Sequence, residues 1–409
     1  MAISESDPTK SDGQIIAIAG AGIGGLTLAL ALAQKGLRPI LVERTPTFSE
    51  VGAGIQLSPN ASRILIDLGL AGALADKIVE PDLLSVRQGR SGNLLSSAAL
   101  RPGLRQRYGA PFWVVHRADL QSVLVEAVKA APEITLLTGR RVTDFAVHGK
   151  GVTVMTTPSN GRQERYDDIR ARGLVAADGI QSAIRQKLVP GTRMRPSGQI
   201  ALRTVVETHA LGSSPVIRDI GLWLGAKRHL VHYPIRGGRA LNIVAIAPRR
   251  RDDNPDDGPI SRRDGALRFA DWCPAVQDLL AAVSEFTLWP LGDIDPLQEW
   301  SKGPVALLGD AAHATLPFLA QGGAMAIEDA ACLAGHLASS VDVEAAFAAY
   351  AQARIARAHR IQRHSRRNGR IYHMGGYTAA VRDAGLILMG GNSLVKRYDW
   401  IYRHRAVQG

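Results

Sequence analysis

Three apolar runs in the chain share one arrangement, in which a short strand-like segment ends at a glycine-containing turn and a helical pattern follows. The runs cover residues 15–19, 173–178 and 305–310. None of them alternates between apolar and polar positions, which is typical of strands in a parallel sheet covered on both faces. Because the carboxyl ends of parallel strands meet at one edge of the sheet, we expect the three turns to lie close together.

The region between residues 191 and 290 has a different pattern. The segment "LVHYPIRGGRALNIVAIAP" contains two strand-like runs joined around Gly237-Gly238, which predicts a β-hairpin. The charged segment 249–259 predicts a surface loop. We interpret the region as an antiparallel sheet inserted between parts of the first domain of an α/β protein.

The composition is that of a globular protein. The 409 residues are 46% hydrophobic and 21% charged, which suffices for two domains or for one large and one small. Cys273 and Cys332 form no metal- or redox-type pair, so we expect no disulfide framework and no metal site, and a cytoplasmic location. The polar first 14 residues carry no signal-peptide pattern, and the glycines within 15–33 argue against a membrane span.

The formal net charge of +12 can attract anionic ligands. Five arginines recur at a spacing of three on a predicted C-terminal helix: Arg354, Arg357, Arg360, Arg363 and Arg366. They drift around the helix axis beside a single aromatic residue, Tyr372, so we interpret them as a solvated helix face and expect no nucleic-acid partner. The alternative, a nucleic-acid-binding protein, would require salt-dependent DNA binding that is lost when Arg363, Arg366 and Arg367 are neutralised.

The first glycine turn matches the dinucleotide fingerprint G-x-G-x-x-G. Gly20 permits the tight turn, Gly22 lets a pyrophosphate approach the backbone, and Gly25 lets the helix pack on the strand. The following helix offers unpaired N–H groups to phosphates. Glu43 lies at the end of the next predicted strand, where a carboxylate can accept hydrogen bonds from both ribose hydroxyls. These features together predict dinucleotide binding.

The turn that follows the third run favours FAD over NAD. An NAD site occupies the first unit, whereas FAD is longer and needs a second anchoring point. Asp310 is placed to bind a ribityl hydroxyl, and the helix that begins after Gln321 can direct its positive end at the flavin ring. The alternative interpretation is that Gly309-Asp310 is only the N-cap of the following helix and binds no cofactor.

Several motifs resemble those of the single-component (group A) FAD-dependent aromatic hydroxylases, and most closely salicylate and 3-hydroxybenzoate hydroxylases. They are "GAGIGG…LVER", "GAGIQLSPNA" (52–61), "VHRADLQSVL" (115–124), "GLVAADGIQSAIR", "RHLVHYPIRGG" (228–238), "GDAAHATLPFLAQGGAMAIEDA" and "GRIYHMGG" (369–376). The similarity covers residues 13–405 and keeps the motifs in order.

The resemblance implies a Rossmann-like FAD-binding domain with a parallel sheet, interleaved with a smaller antiparallel-sheet substrate domain and followed by C-terminal helices. We predict the FAD-binding domain over 13–82, 113–190 and 291–352, the substrate domain over 83–112 and 191–290, and the helical region over 353–409. Since no second glycine fingerprint exists, NADH or NADPH is expected to visit as a transient reductant.

The resemblance also implies a set of cofactor-binding residues. Those for the AMP half of FAD are Gly20, Gly22, Gly25, Glu43 and Arg44, with Val142 against the adenine. Arg117 would reach the ribityl and pyrophosphate region, unless it forms only a surface ion pair. Asp178, Gly179 and Arg185 would serve the pyrophosphate and the visiting nicotinamide cofactor. Those for the ribityl chain and flavin ring are Asp310, Gly322, Gly323 and Ala324.

The expected substrate residues lie on one strand and in two loops. On the strand over 228–234, His229, Val231 and Tyr233 share one face, and Leu230 and His232 share the other. The resemblance implies that His229 is the catalytic residue facing a substrate phenol. His232 and Tyr233 are further substrate candidates, although either histidine could instead be a hydrogen-bonded sheet residue.

Gln56 is expected to line the site at the flavin edge. Pro317 and Phe318 occupy positions that carry Gln in 3-hydroxybenzoate relatives and His in 6-hydroxynicotinate relatives, respectively. This departure favours a salicylate-type or less polar pocket. His313 is expected to support its loop.

The function that follows is hydroxylation of a monohydroxylated aromatic acid by NAD(P)H and O₂, with tightly bound, non-covalent FAD and a flavin C4a-hydroperoxide as the expected oxygen donor. Arg203 is one candidate among several for binding the substrate carboxylate. The alternatives are a 3-hydroxybenzoate or 6-hydroxynicotinate hydroxylase and an FAD oxidoreductase that does not oxygenate. A monomer or a homodimer is expected.

Overall fold

The computed structural model describes residues 15–48, 53–160, 168–212 and 218–406. Some residues named in the sequence analysis lie outside this part. They are the polar start of the chain, Gly52 of the motif over 52–61, and the outermost residues of the predicted domains, 13–14 and 407–409.

The strands of the described residues are, in chain order, β1 (Ile15–Ala19), β2 (Arg38–Val42), β3 (Gly54–Leu57), β4 (Leu83–Gln88), β5 (Leu94–Ala99), β6 (Trp113–His116), β7 (Thr135–Leu137), β8 (Arg140–His148), β9 (Gly151–Pro158), β10 (Ile169–Ala171), β11 (Gly173–Ala176), β12 (Met194–Glu207), β13 (Ile220–Gly225), β14 (Arg228–Ile235), β15 (Ala240–Pro248), β16 (Ile260–Ser261), β17 (Glu285–Ile294), β18 (Ser301–Lys302) and β19 (Val305–Leu307).

The helices are α1 (Ile23–Ala33), α2 (Pro59–Asp67), α3 (Ala71–Leu74), α4 (Gly103–Tyr108), α5 (Arg117–Ala130), α6 (Ala183–Leu188), α7 (Arg262–Ala266), α8 (Pro274–Ala281), α9 (Asp310–His313), α10 (Gly322–Ser339), α11 (Val343–Tyr372), α12 (Gly376–Lys396) and α13 (Asp399–Tyr402). None of these described helices is long and apolar enough to cross a membrane.

The three apolar runs form neighbouring strands of one six-stranded sheet, with the order β18-β19-β11-β1-β2-β7. The pairs β19–β11, β11–β1, β1–β2 and β2–β7 are parallel, and only the edge strand β18 is antiparallel. Ile16, Ala17 and Ile18 are fully buried in the core around this sheet. The predicted parallel sheet is thus confirmed, and the turns after β1, β11 and β19 lie at its carboxyl edge.

The middle of the chain forms most of an eight-stranded sheet, with the order β16-β17-β12-β15-β14-β13-β4-β5. The predicted hairpin is present as β14 and β15, which pair antiparallel from His229↔Ile246 to Ile235↔Ala240. The pair β4–β13 is parallel, a departure from the expected antiparallel sheet. It arises because β4 and β5 come from an earlier part of the chain and join the sheet at its edge.

Two smaller sheets were not anticipated. The strands β8, β9 and β10 form an antiparallel sheet, and β3 pairs with β6. The predicted domain boundaries remain a prediction, since the sheet order alone does not fix where one domain ends.

The arginines of α11 do not form the solvated face that their spacing suggested. Arg354 is 1% exposed and forms ion pairs with Glu328 at 2.7 Å and Asp329 at 2.8 Å, and Arg357 pairs with Glu328 at 2.6 Å. Arg366 pairs with Asp293 at 2.6 Å. A spacing of three carries successive side chains around the helix, and α11 is packed on α10, so part of the series points into the protein.

Candidate active site

A cavity of about 420 Å³ lies between the carboxyl edge of the six-stranded sheet and one face of the eight-stranded sheet. One end is lined by Gly22 and Gly24 of the first turn and by Gly309 and Asp310 of the third. The other end is lined by β14 and by aromatic residues from the C-terminal helices. The first of these ends therefore brings together two turns, at Gly22 and Gly309, that are almost 300 residues apart in sequence.

The glycines of the first turn have different surroundings. Gly20 has φ +105°, and a Cβ there would lie 2.4 Å from the Ala177 carbonyl oxygen. A Cβ at Gly25 would lie 2.0 Å from the Gly20 carbonyl oxygen. A Cβ at Gly22 would meet no atom within 4 Å, because Gly22 faces the open cavity. The protein is close-packed behind this turn and leaves space on the side where a pyrophosphate would lie.

Two helix N-termini open onto the same cavity. The N-cap residues of α1 and α10 are Gly22, which has no side chain, and Gln321, whose side chain does not cap the helix. Their first N–H groups are therefore available to anionic groups, and the positive ends of both helices face the cavity. Gly322 and Gly323 at the start of α10 line it. A long cofactor with a phosphate group at one end and an electron-accepting ring at the other fits this arrangement.

Three carboxylates surround the cofactor end. Glu43 accepts the Ala21 N–H at 2.8 Å and the Thr45 N–H at 2.9 Å, which ties the glycine turn to the end of β2. Asp178 accepts the Ala183 N–H at 3.1 Å, and burial raises the pKa of its carboxyl group. The exposed Asp310 lines the cavity directly.

The opposite end of the cavity has one histidine in its wall. His229, Val231 and Tyr233 of β14 line the cavity, as the alternation of the strand predicted. The His229 ring is 3% exposed and lies edge-on to Phe318, with ring centroids 5.4 Å apart. Its Nδ1 is 2.7 Å from Nε2 of His373, so Nε2 is the ring nitrogen left for a ligand in the cavity. Burial, and then the neighbouring His373, lower the pKa of His229 well below its usual value, so the ring is neutral.

An arginine lies in the same wall. Arg203 of β12 lines the cavity, and its guanidinium stacks 5.2 Å from the centre of the Trp289 ring. Among the described residues its buried Nε has no hydrogen-bond partner. Burial lowers its pKa, which means that the cation is poorly solvated where it lies. An anionic ligand would relieve that cost.

The comparisons with known proteins agree with this geometry. Residues 14–365 match the family model described as FAD binding domain. The chain is 36% identical over 389 residues to 3-hydroxybenzoate 6-hydroxylase 1 of Aquipseudomonas alcaligenes, covering 94% of this chain and 96% of that protein. The chain belongs to the FAD-dependent aromatic hydroxylases.

Two solved structures have the same fold as this hydroxylase. One is Klebsiella pneumoniae HpxO complexed with FAD and uric acid, at 28% identity and a TM-score of 0.82, with 96% of this chain and 97% of that one covered. The other is a salicylate hydroxylase substrate complex, at 27% identity and a TM-score of 0.80, with 97% of both chains covered. FAD is thus the cofactor for which the two helix N-termini and the glycine turn are suited.

Most predicted site residues of the hydroxylase lie on the cavity. The lining includes Gly22, Gln56, Arg117, Gly179, His229, Tyr233, Asp310, Pro317, Phe318, Gly322 and Gly323. Others stand behind this lining: Ala324 is fully buried, and Val142 packs on the core beside β2. Arg44 is exposed next to Glu43. His313 is buried with its Nε2 2.5 Å from Asp329, and so supports its loop as expected.

Two predicted residues lie elsewhere in the hydroxylase. His232 points to the opposite face of β14, where its ring approaches Gly221 and Trp223, so the structure does not support a contact with substrate. Alternation along the strand is the reason, since His232 and His229 are an odd number of positions apart. Arg185 is 1% exposed and donates to the carbonyl oxygens of Ile180 and Ala311. It ties two loops together through these hydrogen bonds, and its role at the pyrophosphate stays a prediction.

The sequence interpretation missed the aromatic wall of the hydroxylase. Tyr372 of α11, Tyr398, and Tyr402 of α13 line the substrate end of the cavity. Asn368 donates to the hydroxyl oxygens of Tyr372 at 3.3 Å and Tyr398 at 3.1 Å. Tyr372 lies in the quoted motif "GRIYHMGG", which was a usable signal. Nothing in the local sequence marked the other two.

Proposed function

We propose that this hydroxylase acts on a monohydroxylated aromatic acid of the salicylate type, with NADH or NADPH and O₂. The observation that carries the proposal is that a neutral histidine, His229, and a poorly solvated cation, Arg203, line one largely apolar cavity. A phenol can give its proton to His229, and a carboxylate can bind to Arg203.

FAD would be held by the glycine turn at Gly20–Gly25, by Glu43, and by Asp310 with the N-terminus of α10. When bound, it accepts reducing equivalents from NAD(P)H and activates O₂, so that one oxygen atom can be transferred to the ring of the substrate. The two helix N-termini favour the negative charge of the pyrophosphate and of the reduced flavin.

His229 is the proposed catalytic base. Its neutral ring can accept the phenolic proton at Nε2, which makes the aromatic ring more electron-rich and more reactive towards an electrophilic oxygen. Phe318 and Tyr372 hold the imidazole by edge-on contacts, with ring centroids 5.4 Å and 5.3 Å from it. This packing restricts the ring to one orientation towards the cavity.

Arg203 is the proposed partner of the substrate carboxylate. A guanidinium can bind a carboxylate through two parallel hydrogen bonds, which fixes the orientation of the acid as well as its position. Apolar wall residues such as Val231, Val244 and Ile246 exclude water from the reacting ring.

Other substrates remain as alternatives to be tested. Pro317 and Phe318 offer no side-chain donor or base to a 3-hydroxybenzoate or 6-hydroxynicotinate ring. 3-Hydroxybenzoate nevertheless stays a candidate substrate, because the chain is similar to 3-hydroxybenzoate 6-hydroxylase 1. An FAD oxidoreductase that does not oxygenate is the remaining alternative.

The test is to follow NADH and NADPH oxidation by the flavin-loaded protein with salicylate, 3-hydroxybenzoate or 6-hydroxynicotinate under ¹⁸O₂. Product mass and H₂O₂ are measured in parallel. We expect salicylate to accelerate oxidation and to gain one labelled oxygen atom. Labelled product from one of the other acids alone would move the substrate assignment to that acid. Substrate turnover without label would support the non-oxygenating alternative, and acceleration with only H₂O₂ would identify an effector.

A further inference from the structure

His229 is the first member of a hydrogen-bonded chain that leads away from the cavity. Its Nδ1 is 2.7 Å from Nε2 of His373, and Nδ1 of His373 is 2.8 Å from Nε2 of Gln199, the nitrogen of its side-chain amide. Both His373 and Gln199 are half-buried, whereas His229 is buried. The chain therefore connects the cavity wall to the periphery of the protein through three polar side chains.

Three separate elements hold this chain together. His373 follows the last residue of α11, and its carbonyl oxygen accepts the N–H of Lys227 at 3.0 Å, in the turn between β13 and β14. His229 lies two residues after Lys227, so the same turn positions both rings. Gln199 lies in β12 where the register with β17 shifts between Pro196 and Ile200, and such an irregularity can redirect a side chain.

The chemistry of the three groups allows a proton to move along them. A neutral imidazole has one N–H donor and one lone pair, and an amide can present either its oxygen or its nitrogen. If Gln199 presents its oxygen, His373 carries its proton on Nδ1 and accepts from Nδ1–H of His229. Nε2 of His229 then has a lone pair directed at the cavity.

The transfer of one proton along the chain leaves each imidazole ring with its proton on the other nitrogen. The phenolic proton binds to Nε2 of His229, and the Nδ1 proton of His229 passes to Nε2 of His373. The Gln199 amide turns its oxygen away, and the Nδ1 proton of His373 passes to water. Gln199 then donates from its nitrogen to Nδ1 of His373. One proton enters, one leaves, and neither ring carries a net charge at the end.

We propose that His373 relays the phenolic proton of the substrate from His229 to solvent, and that Gln199 sets the tautomer of His373 by presenting its oxygen or its nitrogen. This inference rests on the proposed function. His373 acts through His229 and is a positioning and relay residue, since it is not among the residues that line the cavity.

The surroundings of the two rings favour their neutral forms. The charged and titratable groups that face the pair are Tyr372 of α11 and Arg382 of α12. Lys227 of the β13–β14 turn is exposed and contacts His373 through its backbone N–H. Among the described residues, no carboxylate is bonded to either ring. Burial, and then Arg382, lower the pKa of His373 to about 4. A relay that passes the proton on avoids a buried imidazolium at His229.

The decisive variant is His373→Gln, which can still form a hydrogen bond to His229 but cannot exchange protons as an imidazole does. We expect the rate of hydroxylation to fall about 100-fold, at the lower end of the roughly 10²- to 10⁴-fold range that general acid–base catalysis supplies. The affinity for the aromatic acid and the rate of flavin reduction by NAD(P)H should change little. In the variant the proton has to remain on His229, whose pKa is low.

The matched control is His232→Gln, a buried histidine on the same strand that faces away from the cavity. A second variant, His373→Ala, removes the ring and leaves space for imidazole. Added imidazole should restore part of its hydroxylation rate and should not change the rate of the control. Flavin content and melting temperature establish that each variant is folded. Equal losses in His373→Gln and the control, or no rescue by imidazole, would overturn the relay.

An NMR measurement separates this inference from the proposed function. ¹⁵N-histidine spectra of the flavin-loaded protein at pH 7 should show His229 and His373 as neutral rings joined by an N–H···N hydrogen bond, whether or not any tested acid is hydroxylated. A protonated ring at either position at this pH would contradict the relay even if the hydroxylase activity is found.

Discussion

At the glycine end of the cavity, backbone N–H groups are offered to a ligand beside the carboxylates of Glu43 and Asp310, whereas at the opposite end side chains alone line the wall. Gly22 and the first turns of α1 and α10 depend on local backbone geometry, which is set within a few residues of each turn. His229, Arg203 and the three tyrosines come from β14, β12 and the C-terminal helices. The first end therefore suits a cofactor that is shared by a family, and the second can change substrate by changing side chains.

Two glycines, Gly22 and Gly369, also show the contrast between the two ends of the cavity. At Gly22 the missing side chain leaves space for a ligand, since a Cβ would meet no protein atom within 4 Å. At Gly369 the missing side chain leaves space for another residue, since a Cβ would lie 2.6 Å from the Phe318 ring. One glycine shapes the cofactor end directly, and the other shapes the substrate end by positioning a wall residue.

The largest expected effect is that of Gly22→Ala, which should disable the cofactor end without unfolding the protein. The added methyl group would point into the cavity where the pyrophosphate is expected. We expect the affinity for FAD to fall about 100-fold or more, each factor of ten being about 1.4 kcal/mol. Flavin-fluorescence titration of the deflavinated protein measures this loss. Gly72→Ala, where a Cβ also meets nothing, is the control. Unchanged FAD affinity in Gly22→Ala would contradict the assignment.

Arg203→Gln should weaken the substrate end and spare the cofactor end. Loss of a charge-assisted hydrogen bond worth about 1.5–3 kcal/mol should raise the Kd for salicylate by about 10- to 100-fold. The Kd for salicylamide, which has no carboxylate, should change little. Arg195→Gln on the same strand is the control, since Arg195 is exposed and pairs with Asp293 and Asp295 rather than lining the cavity. If both ligands weaken equally, or if FAD is lost, Arg203 does not bind the carboxylate.

Gly369→Ala should have the smallest effect. The added methyl group would displace Phe318 towards His229, and overpacking of this kind costs about 1–3 kcal/mol. We expect KM for the aromatic acid to rise a few-fold, with FAD affinity unchanged. Gly385→Ala in α12, where a Cβ meets nothing, serves as the control. An unaltered KM would show that Phe318 does not limit the space for substrate.

The interpretation of α11 shows where sequence reasoning failed. The spacing of its arginines was correct evidence for a helix, but it carried no information on what the helix packs against. Arg354 and Arg357 are paired with Glu328 and Asp329 of α10, which immediately precedes α11 in the chain. Charges on a helix can be solvated or buried with partners, and only the position of the neighbouring helix distinguishes the two cases.

The substrate strand was predicted better than its neighbours. Alternation along β14 correctly placed His229, Val231 and Tyr233 on one face, because the direction of a side chain in a strand has a fixed period of two. The same rule placed His232 on the opposite face, where the structure has its ring near Gly221 and Trp223. His373 was visible in a quoted motif, but its contact with His229 spans 144 residues and has no local signal.

The sequence by itself determined the parallel sheet, the glycine turn and the two helix N-termini, because tight turns, buried strands and helix starts depend on short-range sterics and hydrogen bonding. It also determined the family, because the motifs occur in order along almost the whole chain. The tertiary structure alone decided which side chains meet at the substrate end. The Tyr372–Tyr398–Tyr402 wall, the unpaired Nε of Arg203 and the His229–His373–Gln199 chain each combine distant segments, and pairings of that kind are set by how sheets and helices pack.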